Sequence, residues 1–159
     1  MTEAEWRAGT DVGRMLRFLR GQAGPRKFRL FACACCRRVW EALSPNQRRA
    51  VEAAERYADR AIRLADLKAA RPPLRDEPGA HWATVWAVRA AAAPRDVAHS
   101  AGAAARDCRD VRAALGWPVP QPPEPRRWLT AGDAVKTAEE AVQRELLCDV
   151  FGDPFRPAV

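Results

Sequence analysis

The chain has 159 residues, of which 33 are alanine and 24 are arginine, and this mixture favours helices and disfavours sheets. Arginine interrupts every alanine-rich stretch, so no run of about 18 apolar residues exists and a transmembrane helix is excluded. The acidic start Met1-Thr2-Glu3-Ala4-Glu5-Trp6 lacks the basic and apolar regions of an export signal. We therefore expect a single cytoplasmic domain that does not contact a membrane.

Two short helices are predicted at the start of the chain. Thr2 and Glu5 have the spacing of a capping box, which predicts a helix that ends near Gly9. Thr10 or Asp11 can cap a second helix. The apolar face of this second helix consists of Val12, Met15, Leu16 and Leu19.

The third helix, predicted over 27–43, carries the strongest pattern in the sequence. Gly21 to Gly24 separates it from the preceding helix, and Pro25 is a favoured first helical residue. Its wide apolar stripe consists of Phe28, Phe31, Ala32, Cys35, Cys36, Val39, Trp40 and Leu43. Arg29, Arg37, Arg38 and Glu41 lie off the stripe. The pattern predicts a central core helix with a basic outer face.

Four further helices are predicted in the rest of the chain. Ser44 and Gln47 form a second capping box, which starts a helix that continues to about Ala70. Helices are then expected over 81–92 and 94–115, and a last one from Thr130 until Gly152 stops it. The stretch 117–129 contains five prolines and is expected to be an extended surface connection, whereas 152–159 is a C-terminal tail. The predicted fold is an all-α, single-domain bundle of about five to seven helices.

The net charge of +7 is concentrated in the first third of the chain. Residues 1–49 hold eleven basic and four acidic residues, while residues 50–159 hold sixteen of each. A one-sided basic surface would attract an anionic partner, although arginine on solvated helix faces is also ordinary. The candidate partner-binding residues are Arg26, Lys27, Arg29, Arg37, Arg38, Arg48 and Arg49.

Five cysteines in a cytosolic chain are expected to be free thiols. Cys33 and Cys36 are three residues apart on a helix, so they could bind zinc together with Cys108 and His99 or His81. Cysteines on an apolar helix stripe more often pack as small hydrophobic residues, and we prefer that interpretation. No nucleophile, base and orienting acid can be assembled from the two serines and two histidines, so we expect neither an enzyme nor a cofactor.

Large aromatic residues could form part of the core or of a docking surface. Trp82 and Trp86 are four residues apart on one helix face, and we predict that they lie in the core. Trp117, Trp128 and Phe155 border the Pro-rich stretch or the tail, where we expect exposed aromatic edges.

Several strings resemble a protein family that is abundant in planctomycete genomes. They are Thr2-Glu3-Ala4-Glu5-Trp6, Phe31-Ala32-Cys33-Ala34-Cys35-Cys36-Arg37-Arg38-Val39-Trp40 and Phe151-Gly152-Asp153-Pro154-Phe155-Arg156-Pro157. The resemblance implies a bacterial, cytosolic and mostly helical protein, and it brings no activity, cofactor or catalytic residue with it. Members of the family often continue beyond this last string, so the chain is read as a short member or as a truncated one.

The favoured functional hypothesis is a non-enzymatic protein-interaction module that uses its basic first third and exposed aromatic edges to contact an acidic protein partner. The nearest alternative is a nucleic-acid-binding protein whose arginines contact phosphates around the turn at Ser44 and Pro45. A zinc-bound or thiol-redox protein is the third choice.

Overall fold

The computed structural model describes residues 1–72, 82–115 and 131–156, and within these ranges the chain is all-α. The predicted all-α, single-domain fold is confirmed, with eight α-helices in the described ranges in place of the five to seven expected. The helices are α1 (Glu3–Ala8), α2 (Val12–Leu19), α3 (Pro25–Arg37), α4 (Pro45–Ala58), α5 (Leu64–Ala70), α6 (Trp82–Ala91), α7 (Val97–Ala114) and α8 (Ala131–Phe151), with a 3-10 turn at Trp40–Ala42.

Local capping chemistry fixes the starts of the early helices as predicted. The Thr2 hydroxyl accepts a hydrogen bond from the Glu5 backbone at 3.2 Å, and the Glu5 carboxylate accepts one from the Thr2 backbone at 2.7 Å. Ser44 and Gln47 form the same reciprocal pair before α4, at 3.2 and 3.0 Å. Asp11 caps α2 by accepting from the Arg14 backbone at 2.9 Å. These side chains satisfy backbone N–H groups that no helical carbonyl can reach.

The helix predicted over 27–43 is shorter than expected, because α3 ends at Arg37 and a 3-10 turn follows. The chain can leave the α-helix here because side chains supply the hydrogen bonds that a continued helix would make. The carbonyl of Arg38 accepts from Arg112 at 3.1 Å, and the carbonyl of Trp40 accepts from Arg48 at 3.1 Å. Nothing in the local sequence indicates these long-range donors.

The helix predicted to continue to Ala70 is divided into α4 and α5. Arg60 adopts a left-handed conformation with φ of 61°, and the Ala61 N–H donates to the Arg56 carbonyl at 2.8 Å. This is the hydrogen-bond pattern of a helix C-terminus that normally contains glycine, so the break could not be predicted from the residues present. α7 likewise begins at Val97 and not at Pro94, after a left-handed Asp96.

The core forms around α3, which packs against α4, α6, α7 and α8. The predicted stripe is buried, and its cysteines Cys35 and Cys36 are fully enclosed. α6 and α7 are joined by a short turn and pack against each other as a helical hairpin. The C-terminal segment returns to α2, where the Phe155 ring stacks on Phe18 with centroids 5.5 Å apart.

Several predictions fall outside the described residues. They concern the Pro-rich connection 117–129, the cap at Thr130, His81, and the end of the tail at 157–159. Among the helices that are described, none combines the length and the apolar character needed to cross a membrane.

Candidate partner-binding surface

Arg37, one of the predicted partner-binding residues, is engaged by the neighbouring helix α4. Its guanidinium donates to both carboxylate oxygens of Glu55, at 2.9 and 2.6 Å, and lies 4.0 Å from the centre of the Trp40 ring. The hydrogen bonds with Glu55 raise the pKa of Arg37. Although its side chain is 42% exposed, its charge is therefore already balanced within the protein.

Arg38 belongs to a buried ionic network that joins three helices. Its guanidinium donates to Glu139 of α8 at 2.8 and 2.9 Å, and the Arg112 guanidinium of α7 lies 2.9 Å from the same carboxylate. Glu139 is only 1% exposed. Gln143 donates to the Glu139 carboxylate at 3.5 Å and to the Ala105 carbonyl at 2.8 Å. These bonds of Arg38 therefore link α3, α7 and α8.

Arg29 is the member of the predicted set that the fold buries, with an exposed fraction of 3%. It donates to the Ala91 carbonyl of α6 at 3.0 Å and lies 5.0 Å from the centre of the Tyr57 ring. Burial lowers the pKa of Arg29. Its guanidinium stabilises helix packing and does not face the outside.

Two of the other predicted residues, Arg26 and Arg48, are paired with carboxylates, whereas Lys27 and Arg49 contact only neutral groups. Arg26 pairs with Asp59 at 2.7 Å, and Lys27 donates to the Phe151 carbonyl at 3.1 Å. Arg48 lies 3.7 Å from Glu41 in addition to its bond with the Trp40 carbonyl. Arg49 contacts only the neutral side chain of Asn46, so its charge is not balanced by a carboxylate.

A group of uncompensated cations lies along α4 and α5, on a surface that we call the basic face. Its members are exposed basic side chains with no ion-pair partner among the described residues, and they are Arg49, Arg56, Arg60, Arg63 and Lys68. Arg49 and Arg56 are seven residues apart and share one side of α4. Two nearby acids of the same segment, Glu55 and Asp59, are already engaged by α3.

Leu64 lies within the basic face and is one of the few large apolar side chains exposed in the described ranges, at 39%. It occupies the first position of α5, directly after Arg63 and one turn before Lys68. An exposed apolar side chain among unpaired cations is a combination typical of protein interfaces, where an apolar anchor lies within a polar surround.

Four of the five cysteines, Cys33, Cys35, Cys36 and Cys108, are buried in the core. Burial raises the pKa of the Cys33 and Cys35 thiols, and a hydrogen bond with Cys36 together with burial raises that of Cys108. His99 lies on the exposed side of α7, away from these buried thiols. Among the described residues, no group of three or more potential ligands could hold a metal ion, so Cys33, Cys36, Cys108 and His99 do not form the zinc site considered above.

Comparisons with known protein families, with curated proteins and with solved structures give no match.

Proposed function

We propose that the protein is a non-enzymatic interaction module whose basic face on α4 and α5 docks an acidic segment of a protein partner. The observation that carries this proposal is the contrast in pairing. Arginines at the ends of α3 are paired with Asp59, Glu55 and Glu139, whereas the five cations of the basic face have no ion-pair partner among the described residues and outnumber the other two acids of their segment, Glu52 and Asp66. Exposed, uncompensated arginines raise the rate of encounter with an anionic partner and can form bidentate bonds with carboxylates.

Leu64 favours a protein partner over nucleic acid. A phosphate backbone offers no apolar pocket for this side chain, whereas an acidic helix or loop with one apolar residue does. The basic face also lacks the exposed aromatic rings on which bases stack in single-stranded nucleic-acid complexes, since its exposed members are cations and Leu64.

The backbone at Arg60 gives independent support. A left-handed conformation costs a residue other than glycine roughly 1 kcal/mol, and glycine is the usual residue at this position of a helix end. The arginine occupies this position despite that conformational cost, which is consistent with a role for its charge in binding.

Several residues of types that can serve in catalysis have structural roles. The Ser44 hydroxyl caps α4, and the buried thiols of Cys33, Cys35 and Cys108 have raised pKa values that disfavour the reactive thiolate. These uses support a binding module over an enzyme.

The test is fluorescence anisotropy with a labelled peptide of alternating glutamate and leucine, and with a labelled DNA duplex, at about 50 and 200 mM salt. We expect the peptide to bind more tightly than the duplex, and the double variant Arg56→Ala, Arg60→Ala to weaken peptide binding about tenfold. The matched control is the double variant Arg17→Ala, Arg95→Ala, which removes two exposed arginines elsewhere and should bind like the parent chain. Tighter binding of the duplex, or equal losses in both double variants, would overturn the proposal.

A further inference from the structure

A groove of about 520 Å³ lies along the hairpin of α6 and α7, outside the basic face. Its floor consists of Ala90, Ala93 and Ala103, whose small side chains leave the space open. Its volume is within the range of small-molecule sites in proteins.

Trp86 forms one wall of the groove and is 51% exposed, so the prediction that it lies in the core is wrong. The inner side of α6 is occupied by the fully buried Ala83, Ala87, Val88 and Ala91, which leaves position 86 facing outward. A large indole ring held at the edge of a groove provides a flat surface on which a ring can stack.

Three guanidiniums, those of Arg71, Arg89 and Arg106, line the same groove. Arg89 donates through Nη1 to the Pro72 carbonyl at 2.5 Å, and Arg106 lies 3.9 Å from the Asp107 carboxylate. Arg71 has no ion-pair partner among the described residues. Burial, and then the nearby positive charge of Arg71, lowers the pKa of Arg89, as expected for two cations without a counter-ion between them.

The remaining polar groups fix the orientation of a ligand. Asp107, whose side chain is 13% exposed, comes from α7, and Ser100 lies on the same helix two turns earlier. The Asp107 carboxylate repels an anion from its own position, whereas it can accept a hydrogen bond from an N–H or O–H group. An oxyanion is therefore directed towards Arg71 and Arg89.

We propose that this groove binds a small molecule in which a phosphate or carboxylate is joined to a flat ring. The oxyanion accepts hydrogen bonds from the guanidinium groups of Arg71 and Arg89 that line the groove, and the ring stacks on Trp86. Two adjacent guanidinium groups suit this chemistry because their planar donors match the oxygens of either anion. The site goes beyond the proposed docking function, and it uses none of the residues of the basic face.

The test is isothermal titration calorimetry with four probes: adenosine monophosphate, indole-3-acetate, adenosine and inorganic phosphate. We expect one of the two anionic rings to bind at least about tenfold more tightly than adenosine or phosphate alone, because only they satisfy both halves of the groove. The probe that binds more tightly is then used to compare the variants. Failure of both anionic rings to bind below about 1 mM would overturn the proposal.

Three variants and one control locate the binding. Arg71→Ala and Trp86→Ala should each weaken the better probe about tenfold, and Arg89→Lys should weaken it while keeping the charge, since lysine loses the planar donor arrangement. Arg95→Ala removes an exposed arginine from the turn of the same hairpin and should leave binding unchanged. Thermal unfolding of each variant verifies that it is folded. Affinities unaffected by both Arg71→Ala and Trp86→Ala in folded protein would contradict the assignment.

Discussion

The outer side of α3 and the basic face of α4 and α5 differ in how their charges are used. Arg37 and Arg38 of the α3 end are held by bidentate bonds to Glu55 and Glu139, so they act as structural cross-links between helices. Arg56 on α4 has no such partner. Residues 25–38 hold five basic residues and no acid, whereas residues 45–70 hold six basic and four acidic residues, yet the second segment presents more unpaired cations.

The difference arises because packing redistributes charge. α3 lies at the centre of the bundle, and its arginines reach carboxylates on α4 and α8. Glu55 and Asp59, which belong to the same segment as the basic face, are engaged by α3 in this way. The distribution of free charge is consequently a property of the fold and differs from that of the sequence.

The largest effect is expected for Glu139→Ala, which removes the buried centre of the ionic network. Because Arg38 and Arg112 would be left without their shared carboxylate, we expect a loss of about 3–5 kcal/mol in the free energy of unfolding. Thermal unfolding should show a fall in Tm of roughly 6–20 °C. Glu52→Gln, at an exposed position of α4, is the control and should change Tm little. Similar small changes in both variants would contradict a structural role for the network.

Arg60→Gly should separate stability from binding. Glycine adopts the left-handed conformation without strain, so we expect the free energy of unfolding to rise by about 0.5–1 kcal/mol. Peptide binding should weaken at the same time, because a cation of the basic face is lost. Denaturant unfolding and anisotropy on the same sample measure the two effects. A variant that is more stable and binds equally well would remove Arg60 from the proposed surface.

Glu55→Gln should release Arg37 from its pair. Since both side chains are partly exposed, the cost in stability should be at most about 1 kcal/mol. The released guanidinium adds a cation next to α4, so binding of the acidic peptide should become tighter and more sensitive to salt. Weaker peptide binding would show that the comparison between the two regions is incorrect.

The smallest effect is expected for Arg56→Ala. Its side chain contacts no charged partner, and surface substitutions of this kind usually change the free energy of unfolding by less than about 0.5 kcal/mol. Arg38→Ala offers the matched comparison from the paired region and should be clearly destabilising. Equal losses in the two variants, measured by urea unfolding, would mean that Arg56 has a structural partner.

Local signals in the sequence predicted much of the fold. Several helix ends depend only on residues a few positions apart, so the sequence was sufficient to place them. They are the capping boxes at Thr2 and Ser44, the Asp11 cap and the stop at Gly152. The apolar stripe correctly placed α3 in the core. The end of α3 at Arg37 and the break at Arg60 could not be predicted, because the first depends on donors distant in sequence and the second lacks glycine.

The candidate surface was less predictable than the fold. The sequence indicated an excess of positive charge, yet it gave no means of knowing that Arg38 would meet a carboxylate 101 residues away. The i, i+7 spacing of Arg49 and Arg56 was the available signal for the basic face. The prediction that Trp86 lies in the core was wrong for a similar reason, because the helical spacing of two tryptophans does not indicate which side of the helix faces the core.

The most direct test of the contrast in pairing is the rate at which phenylglyoxal modifies each arginine, followed by mass spectrometry of the native protein. Unpaired, exposed guanidiniums react readily, whereas those buried or held in bidentate ion pairs are protected. We predict fast modification of Arg56 and Arg60, and slow modification of Arg29 and Arg38. Modification of Arg38 as fast as that of Arg56 would contradict the account.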